Sequence, residues 1–132
     1  MESLIIEDTK STPHIHFNVE NGAFTMEGQS YPENVSQFYE PVFTWLKDVL
    51  SSLDKPVTFE LNIIYLNTSS LKAMLMLFDI IEQFYLNGKE ININWYYHPE
   101  NEMGLEYGED FMEEVNVPFH IIEKDEELIM SM

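Results

Sequence analysis

Thr68, Ser69 and Ser70 place three hydroxyls in a row between an apolar run, Ile63-Ile64-Tyr65-Leu66, and a long stretch of helical period. Hydroxyls at such a junction can do either of two things. They can cap the helix by accepting a hydrogen bond from one of its free backbone N–H groups. They can also be esterified by a kinase, which adds about −1.5 to −2 charges and three acceptor oxygens. The amides and the positive dipole end of a helix start favour that anion. Lys72 stands one turn further on. Capping explains the same residues, so spacing alone leaves both readings open.

Other residue sets could support chemistry. His14 and His16 fall on one face of a short strand, a conceivable metal pair, but no third ligand stands at recognisable spacing. Glu100, Glu102, Glu106, Glu109, Asp110, Glu113 and Glu114 form an acidic run that, with His98, would suit a small hydrolase or ligand-binding domain. That function needs a concave pocket to converge them. Acidic runs of helical period more commonly form solvated faces, and the Asp-x-Asp-x-Asp-Gly loop of a calcium site is missing. The chain has no cysteine, phosphate loop, Gly-x-Ser-x-Gly elbow or Gly-x-Gly-x-x-Gly turn. Neither catalysis nor a cofactor is expected.

Composition narrows the partners. Six Lys/Arg against 24 Asp/Glu give a formal charge of −18. Nucleic acids and anionic membrane surfaces repel such a surface, whereas basic proteins are steered toward it. Leu71–Leu86, the most apolar stretch, is interrupted by Lys72, Asp79, Glu82 and Gln83 and does not read as a membrane span. Met1-Glu2-Ser3-Leu4 lacks the basic region of a signal peptide, so the cytoplasm is the expected compartment.

The elements that must hold these residues follow from periodicity. Leu4–Asp8, His14–Val19 and Ala23–Glu27 read as strands of an antiparallel meander, with Asn21-Gly22 as a hairpin turn. A helix is expected to start around Ser30-Tyr31-Pro32-Glu33 and end at Ser51–Pro56, with a kink or restart near Tyr39 because of Pro41. Val57–Leu66 alternates as a strand until Ile63. The continuous apolar run that follows suggests a strand end covered on both faces. A second helix from about Ser69 to Leu86, a strand over Glu90–Tyr97, a third helix over Glu100–Val115 and a strand over Pro118–Glu123 complete the order β-β-β-α-β-α-β-α-β. Lys124–Met132 reads as a frayed end. Alternation in the second part implies right-handed crossovers. The expected fold is one α/β sandwich with a mixed sheet of about six strands and three helices. In the second helix, apolar residues span roughly 200° where a sheet needs a stripe of about 100°. Either the first helix covers the excess, or it forms a docking groove with Met74 and Met76 as adaptable contacts.

Leu4-Ile5-Ile6, Thr9, Thr12-Pro13, Phe17, Gly22 and Gly28, then Ser30-Tyr31-Pro32-Glu33-Asn34, Phe38-Tyr39, Pro41 and Trp45-Leu46, resemble the SiaC family of bacterial regulatory phosphoproteins. Tyr65-Leu66-Asn67-Thr68-Ser69-Ser70 with Lys72, and Gly108-Glu109-Asp110-Phe111 followed by Pro118-Phe119, extend the likeness over nearly the whole chain. The resemblance implies a fold like that of anti-sigma-factor antagonists (the STAS type). It implies that Thr68 is phosphorylated by a dedicated protein Ser/Thr kinase and restored by a PP2C-type phosphatase. It further implies that the unmodified form binds and activates a diguanylate cyclase, raising cyclic-di-GMP and favouring aggregation or biofilm. The expected partner surface around Thr68 comprises Tyr65, Leu66, Asn67, Ser69, Ser70, Leu71, Lys72 and Leu75. Leu66 and Leu71 depart from the family's usual residues and bear on partner choice.

Overall fold

Three short strands open the chain in the computed structural model, which describes residues 1–125: β1 (Leu4–Ile6), β2 (His14–Phe17) and β3 (Ala23–Ser30). The Asn18 side chain accepts from the Glu20 and Asn21 amides and folds the β2–β3 link. Gly22 ends that link at φ 75°, where a side chain is disfavoured. A Cβ there would also lie 2.3 Å from the Pro56 carbonyl oxygen. The order continues as α1 (Val35–Ser52), β4 (Val57–Leu66), α2 (Thr68–Leu86), β5 (Ile91–Tyr97), α3 (Glu102–Glu114) and β6 (Phe119–Glu123).

The six strands lie in chain order, β1 to β6. The β1–β2 and β2–β3 pairs are antiparallel and the remaining three are parallel, which makes the sheet mixed, as expected. Right-handed crossovers between strands added in one direction put all three helices on the same face. Phe17, Phe24, Met26, Phe59, Leu61, Ile93 and Trp95 point into that layer and are buried. Thr25, Thr58, Asn62 and Asn94 alternate onto the other face, where none of the three helices packs.

The bare face corrects one expectation. Ile63–Leu66 is not covered on both sides: Ile64 is 44% and Tyr65 39% exposed. The apolar run has a different cause. Gly28 pairs with Ile63 and Gln29 with Tyr65, so Ile64 is an extra residue in β4. This β-bulge slips the in–out phase by one. Ile63 and Leu66 therefore both point into the core across two outward residues.

Helix boundaries differ from the sequence reading for local reasons. Ser30 is the last residue of β3, paired with Leu66, and the chain turns through Tyr31–Glu33 before Asn34 caps α1 by accepting from the Gln37 amide at 3.0 Å. Pro41 does not restart the helix; α1 runs unbroken across it. α3 begins at Glu102 because Asn101 caps it through the Gly104 amide. Strands β1 and β2 end at Ile6 and Phe17, short of Asp8 and Val19. The expected frayed segment falls mostly outside the described residues.

Gly104 and Gly108, which weaken the helical reading of α3, are what lets that helix lie on Trp95. The indole N–H donates to the Gly104 carbonyl at 2.8 Å, and a Cβ on Gly108 would meet Trp95 Cδ1 at 2.5 Å. α2 is flanked by α1 and α3, with Phe78 and Phe111 rings 4.9 Å apart. These neighbours bury Met74, Leu77, Phe78 and Ile81 but leave Leu75 and Met76 40% and 58% exposed. Most of the excess apolar surface is thus core, including Met74. Among the described residues, no helix is long and apolar enough to cross a membrane.

Candidate functional site

Thr68 is the first residue of α2, directly after the outward pair Ile64 and Tyr65 and the inward Leu66. It does not cap the helix. Asn67 does, its side-chain oxygen accepting from the Ser70 amide at 2.8 Å and its carbonyl from the Leu71 amide at 2.9 Å. The division of labour has a simple consequence. The Thr68 hydroxyl is exposed and has no hydrogen-bond partner among the described residues. Beside it, the Thr68 and Ser69 amides are among the helix-start N–H groups that no intrahelical carbonyl can reach. Asn67→Ala is expected to cost about 1 kcal/mol and fray this first turn. Faster amide exchange at Ser70 and Leu71, with the rest of α2 unchanged, is the measurement that checks it.

The third hydroxyl has a different fate. Ser70 is fully buried, and its Oγ accepts from Ser30 Oγ at 2.8 Å. Ser30 Oγ also shares a 2.5 Å hydrogen bond with the Tyr39 hydroxyl. Burial pushes the Tyr39 phenol up to about 12, with the Ser30 hydrogen bond acting in the opposite sense. This buried triad joins β3, α1 and α2, and its α2 member stands two residues after Thr68. Ser30→Ala would strand two buried hydroxyls at once and should destabilise the fold by about 1–3 kcal/mol. Urea unfolding reads that loss, and a change below about 0.5 kcal/mol, the level of a neutral surface substitution, would contradict it.

The expected surface around Thr68 is therefore only partly available. Tyr65, Ser69, Lys72 and Leu75 are exposed, and Asn67 and Leu71 are partly so. Leu66 and Ser70 are buried and cannot touch a partner. Ile64 and Met76 are also exposed apolar residues on β4 and α2; the sequence reading misses Ile64 and names Met76 only as a docking-groove contact. The bulge hides Ile64 from a period-2 reading, whereas the helical position of Met76 made it visible as part of the apolar excess. α3 braces the end of β4 from the other side: Asn101 Nδ2 donates to the Ile64 carbonyl at 3.1 Å and Tyr107 Oη to the Leu66 carbonyl at 3.3 Å.

Comparison with known proteins places this arrangement. The family described as "SiaC family regulatory phosphoprotein" matches residues 6–124. The chain belongs to the SiaC family. An uncharacterized protein of Pseudomonas aeruginosa strain UCBPP-PA14 is 36% identical over 126 residues, covering 96% of this chain and 100% of the relative. The solved structure of SiaC of Pseudomonas aeruginosa superposes with a TM-score of 0.87 at 34% identity, over 94% of this chain and 100% of that one. A second solved structure contains the diguanylate cyclase SiaD of the same organism in complex with its activator SiaC. It matches with a TM-score of 0.86 at 36% identity, over 92% of this chain and 99% of that one.

Within this SiaC-family framework the other candidate sites do not assemble. Glu102, Glu106, Glu109, Asp110, Glu113 and Glu114 are all exposed, while α3 turns Gly104, Gly108 and Phe111 inward. His98 Nδ1 accepts from the Glu100 amide, closing a local turn. His14 and His16 do not fall together in a group of three or more potential ligands among the described residues. Among the described residues, the only group with three potential ligand atoms within 4.8 Å of one another is Glu7, Asp8 and His14, of which both carboxylates are exposed.

Proposed function

We propose that this chain is a non-enzymatic regulator, gated by phosphorylation, that in its unmodified form docks on and activates a diguanylate cyclase. The observation that carries the reading is the position of Thr68. Asn67 supplies the cap, which leaves the threonine hydroxyl exposed and without a partner among the described residues at the start of α2, a helix that also exposes Leu75 and Met76 and follows the exposed Ile64 and Tyr65. The similarity to SiaC of Pseudomonas aeruginosa, which activates the cyclase SiaD, supports the choice of effector. A cytoplasmic protein Ser/Thr kinase adds phosphate to Thr68 and a PP2C-type phosphatase removes it. No cofactor takes part. The chain's contribution is surface alone, and the output is cyclic-di-GMP made by the partner.

The switch follows from desolvation. Docking removes the apolar residues around Thr68 from water, which is favourable. A phosphate dianion in the same contact must shed its hydration against apolar groups, which is costly unless a cation meets it. The test uses protein phosphorylated in vitro, with intact mass mapped to the peptide containing Thr68, and titration of both forms against the cyclase. Unmodified protein should bind and raise turnover, and the phosphorylated form should bind at least roughly a hundredfold more weakly, equivalent to about 2.8 kcal/mol. Equal affinity of the two forms would end the proposal.

A further inference from the structure

The six lysines of this acidic chain are not spent alike. Lys55 Nζ donates to the Glu20 carbonyl, Lys89 Nζ to the Leu53 and Lys55 carbonyls, and Lys124 sits 4.6 Å over the Tyr96 ring. Lys10, in the β1–β2 connection, has no partner among the described residues. The remaining two, Lys47 of α1 and Lys72 of α2, line one groove of about 390 Å³ between these helices. Although the chain holds 24 Asp/Glu, neither ammonium has a partner among the described residues. The groove has apolar walls from Tyr39, Phe43 and Ala73, and one carboxylate, Glu40, also lines it.

We infer that this groove receives a carboxylate-bearing, partly apolar segment of the effector, and that phosphate on Thr68 disarms it by drawing Lys72 away. The inference rests on the proposed function and adds to it the contact and the means of control. A chain of net charge −18 repels acidic segments over most of its surface. Two unpaired ammoniums around an apolar recess are the local exception, and complementarity of this kind fixes where and in what register a partner docks. The apolar walls take the neighbouring side chain and exclude water from the charge pair.

The link to Thr68 is geometric. Lys72 lies four residues after Thr68 on the same helix. An acidic group four residues before a lysine is the favourable orientation for an ion pair along a helix. A phosphate dianion is a stronger partner for an ammonium than a carboxylate is. Phosphorylation therefore acts twice, by adding charge beside Ile64 and Tyr65 and by taking one of the two cations out of the groove.

Two measurements test this. The first needs no effector. Limited acylation read by peptide mass should show Lys72 reacting several-fold more slowly after Thr68 phosphorylation, with Lys47 unchanged. Equal Lys72 rates in both forms overturn the capture step. The second titrates the purified diguanylate cyclase against unmodified wild type, Lys47→Gln, Lys72→Gln, Lys47→Arg and the control Lys10→Gln. Each Gln variant at the groove should bind roughly tenfold more weakly, as expected for loss of a charge-assisted hydrogen bond. Lys47→Arg and Lys10→Gln should bind like wild type. These are exposed positions, so melting temperatures should be unchanged across the set. If the wild type binds and both groove variants match it, the groove inference falls and the proposed function stands. If those variants bind the cyclase normally but are phosphorylated slowly, the groove serves the kinase, and the inference falls again. If the wild type does not bind, both fall together.

Discussion

Thr68→Ala is expected to give a protein that activates its cyclase permanently. The substitution removes the proposed phosphoacceptor hydroxyl from an exposed position at the first turn of α2, where Asn67 already caps the helix. Stability should therefore stay within about 0.5 kcal/mol of wild type. Affinity for the effector should match that of the unmodified form, and incubation with kinase and ATP should no longer reduce it. Thr68→Glu separates charge from geometry. A single carboxylate near a helix N-terminus stabilises the helix by about 0.3–1 kcal/mol, so this variant should melt no lower than wild type. It should nonetheless bind the effector more weakly, though less so than the phosphorylated protein, because it carries one charge and fewer acceptors. The result that would overturn the switch is a Thr68→Ala protein whose affinity still falls on treatment with the kinase.

Trp95→Ala is expected to produce the largest loss of stability. The indole is fully buried on β5 and packs edge-on against Phe111 at 5.3 Å and stacked with Phe119 at 6.5 Å. Its N–H bonds the Gly104 carbonyl of α3. Removing a buried aromatic of this size costs about 3–5 kcal/mol, a large share of the roughly 5–15 kcal/mol that holds a domain together. The melting temperature should fall by roughly 10–20 °C. The effect should reach the site, because α3 braces the end of β4 through Asn101 and Tyr107. Hydrogen exchange at Leu66 and Asn67 should accelerate along with α3. Trp95→Phe retains most of the packing but loses the donor to Gly104 and should sit between the two. A melting temperature within a few degrees of wild type for Trp95→Ala would contradict the packing account. Loss of α3 protection without a change at Leu66 would contradict the brace.

Much of this architecture was legible in the residues, because periodicity reports burial. The alternation Val57, Phe59, Leu61, Ile63 is the inward face of β4, and the Tyr39, Val42, Phe43, Leu46, Val49, Leu50 series is the buried stripe of α1. The element order and the mixed sheet followed from the same signal. What periodicity cannot see is partner-dependent. The bulge at Ile64 arises from the register of β3 against β4. Ser30 looked like a helix start because strand pairing with Leu66 leaves no local trace. Ser70 resembles Ser69 in sequence, yet its contact with Ser30 spans 40 residues and buries it completely. Asn67 was readable as part of the motif, but only the coordinates show that it, rather than Thr68, satisfies the first-turn amides.

The additional residue in β4 makes orientation a matter of parity. Because Ile64 has no opposite number on β3, the strand reaches its end one step out of phase, with Leu66 inward. Pair all ten residues without the bulge and the Tyr65 ring would be turned toward the interior while Leu66 rotated outward; remove Ile64 itself and the strand would regain plain alternation with both side chains where they are. The unpaired residue thus gives this stretch slack in one direction: a deletion at Ile64 is absorbed, whereas a further insertion has to enlarge the bulge or turn Leu66 and the start of α2 over.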